Sequence, residues 1–461
     1  MKNKLFISIY CGLMILLASC NNYLDVKPKG KIIPETAEDF STIIHYWLDQ
    51  IEKGRDDVII PNPEVMTTLE MFADDLNATL ASNFGYTSIY VGSAINKNQA
   101  TYKTLYSVIK DCNMVIGNMD DTESDLARTL LGTAWSIRSI CYYNLMQRYC
   151  EPYQPETAKE TLGLPLVDDF DMEAKPARAN LKETAEFIEE GFRKALSYNV
   201  SNEDFIFTSS VTKAYFARFF FWTQNWSNAI TYAKEVLEKY PMLEADEYVE
   251  AINQKQAKAH NVIIRSFTMD DDIGTMSYAT AQADIKSRPV DRNLVDLFAA
   301  TDNDVRRRCN YDSKRIVNKI ITTKFRSEEL CLIIAEAHAH LNQETDALGY
   351  LNQLRSKRIT QNYIAYTIDN LPEVFQQNIK TDATGIPLTK LMSAILCERR
   401  KELFVEGDRW FELKRNGRPE FWVAAKGKKS ITEKYLYTFP IPKADIRLFP
   451  DLLIQNPGYI E

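Results

Sequence analysis

The chain has 461 residues, of which 45% are hydrophobic and 26% are charged, a composition typical of globular proteins and not of disordered ones. The formal net charge is −8, which argues against nucleic acid as a partner because a protein holds a duplex through a basic surface. Short basic stretches at residues 306–308 and 426–429 are interpreted as solvated surface.

The first predicted element is an export signal. Two lysines precede a 13-residue apolar run from Leu5 to Leu17, which is shorter than the roughly 20 apolar residues needed to span a bilayer. The run ends in the sequence LASC at residues 17–20, which resembles the lipobox of bacterial lipoproteins. This resemblance implies that residues 1–19 are a cleaved signal peptide and that Cys20 carries acyl chains that anchor the protein in a membrane. The alternative is a soluble periplasmic protein in which Cys20 has no special role.

Helical patterns with the spacing of tetratricopeptide repeats dominate the body of the chain. Ala217 and Ala229 lie twelve residues apart in two successive apolar helical patterns, and Pro241 follows after twelve more. Ala335 and Ala347 repeat this spacing nearer the C-terminus. Small residues at such positions let the two helices of a repeat touch closely, and the proline turns the chain toward the next repeat. The pattern predicts a mainly α fold built on a tetratricopeptide-repeat-like helical scaffold.

Two stretches interrupt the helical pattern and are predicted to be ligand-binding insertions. The first, residues 74–100, includes a segment rich in Gly, Ser, Asn and Tyr, which predicts a loop or short strands. The second, residues 261–295, predicts a strand that continues into an irregular segment. Long loops on a rigid scaffold commonly carry binding residues. The mature chain, residues 20–461, is predicted to be a single domain that also contains repeat helices at about 100–240 and 325–358 and a C-terminal signature at about 388–461.

The C-terminal signature combines a charged helical pattern with a proline-rich tail. Its glutamates recur every four residues and its arginines are close enough in sequence to pair with them, which predicts an ion-pair network along one side of a helix. The predicted network consists of Glu398, Arg399, Glu402, Glu406, Arg409 and Arg415. Gly407 is predicted to cap this helix in a left-handed conformation. The prolines after residue 435 predict an extended tail that wraps the surface.

Four short motifs in this region are more diagnostic of a protein family than a pattern of charge or hydrophobicity is. They are ERRKEL at 398–403, EGDRWFELKR at 406–415, FPIP at 439–442 and QNPGY at 455–459. Together with similar segments upstream, they resemble the SusD/RagB family, the surface-exposed nutrient-binding lipoproteins of Bacteroidetes. The resemblance covers essentially the whole mature chain.

The resemblance implies a function in binding and transport, without catalytic residues, cofactor or metal. Members of this family hold an oligosaccharide, or in some cases a peptide, at the outer membrane and deliver it to a SusC-like TonB-dependent transporter. The tetratricopeptide face would then dock on the transporter and the insertions would form the ligand site. The Glu and Arg residues of the signature would be structural. The resemblance also implies a lipid-anchored protein that faces the cell exterior.

A glycosidase is the alternative that a glycan-related sequence raises. Such an enzyme needs two carboxylates about 5 to 10 Å apart, and adjacent acids are available at Asp74-Asp75, Asp168-Asp169 and residues 270–272. Adjacent acids are common on an acidic surface, and the sequence has no G-x-S-x-G, P-loop or G-x-G-x-x-G motif. We therefore expect binding rather than catalysis. Whether Ca²⁺ assists binding at residues 270–272 stays open.

The ligand-binding side chains are predicted to lie in the two insertions. Tyr86 and Tyr90 would stack on the ligand, and Asp75 would accept hydrogen bonds from its hydroxyl groups. The candidates are Asp74, Asp75, Asn83, Phe84, Tyr86, Tyr90, Met276 and Tyr278. All six tryptophans lie in or beside helical patterns and are expected to pack in the core. Two alternatives stay open: each aromatic packs only its own loop, or the protein is a repeat adaptor that binds protein partners alone.

Overall fold

The computed structural model shows a mainly helical fold. The residues that it describes are 34–53, 58–80, 91–94, 100–171, 175–254, 259–266, 273–298, 303–425 and 428–459. The α-helices in chain order are α1 Ala37–Glu52, α2 Pro63–Phe72, α3 Val91–Ala94, α4 Ala100–Asn118, α5 Asp125–Tyr149, α6 Leu181–Ser197, α7 Ser209–Trp222, α8 Trp226–Lys239, α9 Ala245–Ile252, α10 Ile273–Lys286, α11 Arg292–Val295, α12 Val305–Asn310, α13 Ser327–His340, α14 Glu344–Ser356, α15 Lys390–Glu402, α16 Asp408–Arg415 and α17 Lys443–Leu448. The strands form antiparallel pairs, which are β1 Leu162–Pro165 with β2 Arg178–Asn180, β3 Val262–Arg265 with β4 Lys324–Arg326, and β5 Phe421–Ala425 with β6 Lys428–Thr432.

Two helical hairpins confirm the prediction of a tetratricopeptide-repeat-like scaffold. Helices α7 and α8 are joined by three residues and pack against each other, with Ala217 and Ala229 fully buried. Helices α13 and α14 repeat this arrangement around Ala335 and Ala347. Because alanine has no side chain beyond Cβ, the two helices of each hairpin can approach closely at these positions. The hairpins are neighbours in the fold, since α8 packs against α13.

Helix α5, with 25 residues, lies inside the scaffold and packs against both α4 and α6. Ser124 caps its N-terminus by accepting a hydrogen bond from the backbone N–H of Ala127. Asn113 of α4 accepts a hydrogen bond of 2.7 Å from Arg138 of α5 and donates one of 3.0 Å to the carbonyl of Val167. These bonds attach the segment after β1 to the repeat helices.

The second insertion contains more regular structure than the sequence predicts. The predicted strand is confirmed as β3. The prediction of an irregular segment after it is wrong, because residues 273–286 form helix α10. Ala281 and Ile285 lie one helical turn apart and are buried, and α10 packs against α2. The small and polar residues of this helix give a weak apolar pattern, so the periodicity does not reveal it. In the first insertion Val91–Ala94 forms helix α3, whereas residues 81–90 and 95–99 lie outside the described residues.

The helix of the C-terminal signature ends before the last of the regularly spaced glutamates. Helix α15 ends at Glu402, so Glu406 lies in the turn before α16 and not on one helical face with Glu398 and Glu402. Gly407 adopts the predicted left-handed conformation, with φ +75°, but the prediction that it caps this helix is wrong, because Leu403 follows α15 and Gly407 precedes α16. A Cβ atom at this position would lie 2.6 Å from Sδ of Met66. The turn therefore packs against α2 at a distance that favours glycine.

The C-terminal tail is anchored in the scaffold, which corrects the prediction that it wraps the surface in an extended form. It contains helix α17. The buried Gln455 side chain accepts a hydrogen bond from the N–H of Ile441 and donates one to its carbonyl, both at 2.9 Å. The buried Asn456 side chain donates to the carbonyls of Tyr149 and Phe439. Side-chain amides therefore hold a segment whose prolines lack backbone N–H groups.

The first described helix, α1, lies close in sequence to the predicted membrane anchor. The predicted signal peptide, residues 1–19, and the predicted lipidation site at Cys20 lie outside the described residues. Helix α1 is capped by Thr36 and packs against α4 and α5. Across the described ranges, no helix combines the length and the apolar character needed to cross a membrane.

Candidate functional site

A buried ion-pair network surrounds Glu402 in the C-terminal signature. Arg326 donates to one carboxylate oxygen of Glu402 at 3.0 Å, and Arg358 donates to both oxygens at 3.0 and 3.1 Å. Arg306 adds a longer bond of 3.4 Å. Burial by itself raises the pKa of Glu402, but the three guanidinium groups hold that pKa well below its usual range. All four side chains are buried, so this network stabilises the fold and does not face a ligand.

Two predictions about these charges are wrong. Arg306 is fully buried and not solvated, because it also bonds Asp304 and Glu398. The signature arginines do not pair with the three signature glutamates. They bond other carboxylates: Arg399 to Asp408, Arg409 to Asp74, and Arg415 to Glu336. Spacing in the sequence identifies neighbours on one helix only, whereas most of these partners meet through tertiary packing.

The structure places the side chains of Asp74 and Asp75 in the interior, which corrects their predicted contact with a ligand. Asp75 has no exposed surface, and its Oδ1 accepts a hydrogen bond of 2.5 Å from Arg400. Asp74 accepts hydrogen bonds from Arg409 at 2.7 Å and from Asn378 at 2.8 Å. A ligand hydroxyl could displace such a buried pair only by leaving an arginine without its counter-ion. Both carboxylates therefore belong to the structural network.

Most of the other predicted ligand residues lie in parts of the chain that are not described. These are Asn83, Phe84, Tyr86, Tyr90 and the side chain of Met276, and their roles stay predictions. Tyr278 lies in α10, is 7% exposed, and its hydroxyl donates a hydrogen bond of 3.2 Å to Gln282. Burial raises the pKa of Tyr278 to about 12. Its ring therefore packs within the fold and offers little surface to a ligand.

An exposed tryptophan on a β-hairpin is the candidate that the sequence analysis misses. Trp422 and Ile431 are direct cross-strand partners in β5 and β6, so their side chains lie on the same face. They are 58% and 50% exposed. The predicted core position is thus wrong for Trp422, whereas Trp222 and Trp410 are buried. The apolar run at 421–425, the Lys-Gly-Lys sequence at 426–428 and the β-branched Ile431 and Thr432 after it are the signal that could have predicted this hairpin.

The first insertion begins beside this hairpin. The 3₁₀ turn Ala78–Leu80 packs against β5, and the Thr79 hydroxyl donates a hydrogen bond of 3.2 Å to the carbonyl of Ala424. Leu80 is 54% exposed. The Nζ atom of Lys429 lies 4.7 Å from the ring centroid of Trp422, a distance at which a cation is attracted to the face of the ring. We name the surface that these exposed side chains form the hairpin patch, which consists of Leu80, Trp422, Lys429 and Ile431.

Two family models match the chain. The model described as the SusD family matches residues 306–459, and the model described as starch-binding associating with outer membrane matches residues 22–221. The chain belongs to the SusD-like family. The hairpin patch of this SusD-like chain draws on both matches, since Leu80 lies in the second and Trp422 in the first. No curated protein sequence matches the chain.

Solved structures share the SusD-like fold over nearly the whole chain. A SusD superfamily protein from Bacteroides thetaiotaomicron VPI-5482 has a TM-score of 0.70 at 17% identity and covers 92% of this chain and 100% of its own. A laminarin-binding SusD-like protein has a TM-score of 0.60 at 16% identity, with 92% and 99% covered. Surface glycan-binding protein A from Bacteroides fluxus has a TM-score of 0.64 at 14% identity, with 92% and 100% covered. At these identities the likeness concerns the fold.

The hairpin patch exposes side chains that are chemically able to contact a ligand. A tryptophan ring has a flat apolar face that packs against the C–H face of a sugar ring or against an apolar side chain. The ammonium group of Lys429 donates hydrogen bonds and carries a positive charge. Within the described ranges, no three His, Cys, Asp or Glu residues are placed to hold a metal ion. The ring of Trp422 can offer a ligand stacking, and Lys429 can offer it hydrogen bonds.

Proposed function

We propose that this SusD-like chain is a cell-surface lipoprotein that binds an oligosaccharide and delivers it to a SusC-like TonB-dependent transporter. The observation that carries the proposal is the exposed Trp422, which stands beside the first insertion. Two further findings support it. The description of one matching family names starch binding and the outer membrane, and the similar structures include a laminarin-binding protein and a surface glycan-binding protein.

The proposed ligand site combines the hairpin patch with the first insertion. Leu80 adjoins the hairpin, and Tyr86 follows six residues later, which is at most about 20 Å of extended backbone. Tyr86 is therefore within reach of a ligand that stacks on Trp422. The rings of a glycan chain repeat, so separate aromatic side chains can hold one ligand together. The other members of the insertion that we include in this site are Asn83, Phe84 and Tyr90.

The proposed partners are the transporter and the outer membrane. Helical repeats commonly bind a protein along one face, and in this proposal the surface formed by α7, α8, α13 and α14 contacts the transporter. Acyl chains on Cys20 hold the protein at the outer membrane, facing the cell exterior. Each buried methylene contributes about 0.8 kcal/mol, so two or three chains give a stable anchor.

A peptide is the second candidate ligand, because Leu80 and Ile431 extend the patch with aliphatic surface that suits apolar side chains. A repeat adaptor without a small ligand is the third candidate. Catalysis has less support, because the Asp74-Asp75 pair of the first insertion is engaged in buried ion pairs. Proteins of the SusD-like family are binding proteins.

Calorimetric titration tests the proposed function. The protein from residue 21 onward is titrated with plant and host oligosaccharides and with mixed peptides, and each mixture is then analysed for cleavage products. Saturable binding of one glycan class without cleavage supports the proposal. Binding of peptides alone indicates a peptide receptor, and cleavage indicates an enzyme. Absence of binding across the whole panel rejects a ligand-binding role and leaves the adaptor.

A further inference from the structure

Acidic residues are depleted in the two segments that form the proposed ligand site. After the buried Asp74-Asp75 pair, residues 76–100 of the first insertion include neither Asp nor Glu, and neither do residues 421–432 of the hairpin. The chain has 63 acidic residues among 461, so about five would be expected in these two stretches. The same stretches contain the lysines Lys97, Lys426, Lys428 and Lys429. Their local charge is therefore positive, within a chain whose net charge is −8.

The pairing of β5 with β6 places a lysine and an aromatic ring on the same exposed face. Trp422 pairs with Ile431, and Ala424 pairs with Lys429. Because side chains alternate between the two faces of a strand, these four residues share one face. The opposite face turns toward the scaffold, since Thr432 on that face is fully buried. The strand pairing thus holds the ring and the lysine together on the solvent side of the hairpin.

The ammonium group of Lys429 carries a charge that the protein does not neutralise. Lys429 is exposed, and its Nζ atom lies 4.7 Å from the ring centroid of Trp422. No carboxylate in the described part of the chain forms an ion pair with it. The face of the ring attracts a cation but has no net charge of its own. A positive charge beside the stacking surface is therefore available to an anionic group of a ligand.

The acidic residues nearest to Lys429 along the hairpin lie at its opposite end. Glu420 precedes β5 and is four residues from Ala424, and Glu433 follows β6 and is four residues from Lys429. Four residues of a strand span about 13 Å, and charges that far apart in water are largely screened at physiological ionic strength. Oε1 of Glu420 also accepts a hydrogen bond of 3.2 Å from the N–H of Lys434.

The acidic residue that contacts the start of the first insertion is engaged within the protein. Oδ2 of Asp291 accepts a hydrogen bond of 3.1 Å from Asn77, and Oδ1 accepts one of 2.9 Å from the backbone N–H of Asn293. Asp291 thereby caps helix α11. The next residue, Arg292, is exposed and adds a positive charge at this end of the site.

We propose that the ligand of the hairpin patch is an acidic oligosaccharide, whose sugar rings carry carboxylate or sulfate groups. This inference rests on the proposed function and specifies its substrate class. One sugar ring stacks on Trp422, and an anionic group on that ring or on its neighbour pairs with the ammonium group of Lys429. The lack of acidic side chains in both segments spares such a ligand the repulsion that it would meet elsewhere on this acidic chain.

Calorimetric titration of the protein from residue 21 onward with pairs of ligands that differ only in charge tests the proposal. Oligogalacturonate and its fully methyl-esterified form make the pair for carboxylate. An oligosaccharide of a sulfated galactan and its desulfated form make the pair for sulfate. We expect the acidic member of one pair to bind about fivefold or more tighter than its neutral counterpart. This preference should shrink as the NaCl concentration rises from about 50 to about 500 mM, because salt screens the attraction.

The outcomes separate this inference from the proposed function. Tighter binding of an acidic member supports the inference, and the pair in which it occurs identifies carboxylate or sulfate as the recognised group. Equal affinities within both pairs, or binding of neutral glycans alone, would overturn the acidic class but leave glycan binding intact. Absence of binding to every glycan would overturn both.

A matched pair of variants tests the role of Lys429. Lys429→Gln keeps hydrogen-bond donors but removes the charge, so it should weaken binding of the acidic ligand about threefold more than binding of its neutral counterpart. Lys194→Gln removes the same charge from an exposed position of α6 and controls for the net charge of the chain. Both side chains are exposed, so the folding of either variant should be unaffected. An equal effect of Lys429→Gln on both ligands would contradict the pairing of Lys429 with an anionic group.

Discussion

Arg409 and Asp74 are 335 residues apart in the sequence, yet Nε of Arg409 donates a hydrogen bond of 2.7 Å to Oδ1 of Asp74. Nη2 of Arg409 adds a second bond of 3.0 Å to Oδ2, which makes the pair bidentate. The two side chains are only 3% and 7% exposed. This pair joins the start of the first insertion to the C-terminal signature. The buried charged side chains of the signature thus fix the position of the start of the first insertion, which we assign to ligand binding.

Arg409→Ala is expected to lower the free energy of unfolding by about 3–5 kcal/mol, because it removes the bidentate partner of the buried Asp74 and the hydrogen-bond donor to the buried Glu412. Urea unfolding followed by circular dichroism measures the loss as a lower midpoint. Lys53→Ala is the control, since it removes an exposed ion pair with Asp49 and should cost less than about 1 kcal/mol. Similar losses of unfolding free energy in both variants would show that burial does not increase the contribution of the Arg409 pair to stability.

The helical scaffold could be predicted from the sequence because its pattern is local. The twelve-residue spacing between Ala217 and Ala229 reports the contact between two helices that follow each other in the chain. Helix α10 could not be predicted in this way, because its contact with α2 joins segments about 200 residues apart and its own apolar pattern is weak. Local periodicity thus predicts repeats well and isolated amphipathic helices poorly.

The candidate site could be predicted only in part, because its geometry depends on contacts between distant segments. The spacing of the signature glutamates indicates an ion-pair network, but the guanidinium partners of Glu402 lie 44 to 96 residues away. Nothing in the sequence around Asp75 indicates that its carboxylate is buried against Arg400, which is 325 residues away. The exposure of Trp422 depends on which face of its hairpin packs on the scaffold, and no local pattern reveals that.

Gly407→Ala is expected to destabilise the fold by about 1–3 kcal/mol. The backbone φ of +75° strains a residue with a Cβ atom, and that atom would lie 2.6 Å from Sδ of Met66. Gly349→Ala is a matched control, because Gly349 lies in helix α14 with nothing within 4 Å of the added Cβ. It should stabilise the protein by up to about 1 kcal/mol through helix propensity. Opposite shifts of the urea midpoint are therefore expected, and shifts of one sign would contradict the strain at Gly407.

Glu70 is expected to make the fold less stable as the pH rises toward 8. Burial and the nearby charge of Asp75 raise the pKa of Glu70 to about 8, although its Oε1 accepts a hydrogen bond of 2.7 Å from the N–H of Gly407. The folded protein thus keeps Glu70 protonated at pH values where the unfolded chain has already released this proton. Between the two pKa values, the free energy of unfolding falls by up to about 1.4 kcal/mol per pH unit.

Glu70→Gln should reduce this fall with pH, because the amide keeps the hydrogen-bond acceptor and cannot ionise. Urea midpoints between about pH 5 and pH 9 measure the effect, as the difference between the unchanged protein and the variant. That difference isolates Glu70 from other buried groups, such as Lys414, whose pKa burial lowers to about 7. Glu64→Gln, at an exposed position of the same helix, controls for the loss of one negative charge. A difference that does not change with pH would contradict the assignment.

Trp422→Ala is expected to weaken glycan binding at least tenfold without lowering stability. The ring is 58% exposed, so its removal should change the free energy of unfolding by no more than about 0.5 kcal/mol. A tryptophan that stacks on a ligand can contribute about 2 kcal/mol or more to binding. Calorimetric titration with the glycan identified for the unchanged protein measures the first effect, and the urea midpoint measures the second.

Tyr46→Ala is the matched control for Trp422→Ala, because Tyr46 is a 56% exposed aromatic residue on α1, away from the hairpin in sequence. We expect glycan affinity to be unchanged in this variant. Lys429→Ala should have an intermediate effect, since it removes one donor but leaves the ring of Trp422 in place. Full affinity in Trp422→Ala would remove the hairpin patch from the ligand site and leave the aromatic residues of the first insertion as its candidates. A loss in Trp422→Ala with full affinity in Tyr46→Ala would place the ligand at the hairpin, where the insertion and the signature meet.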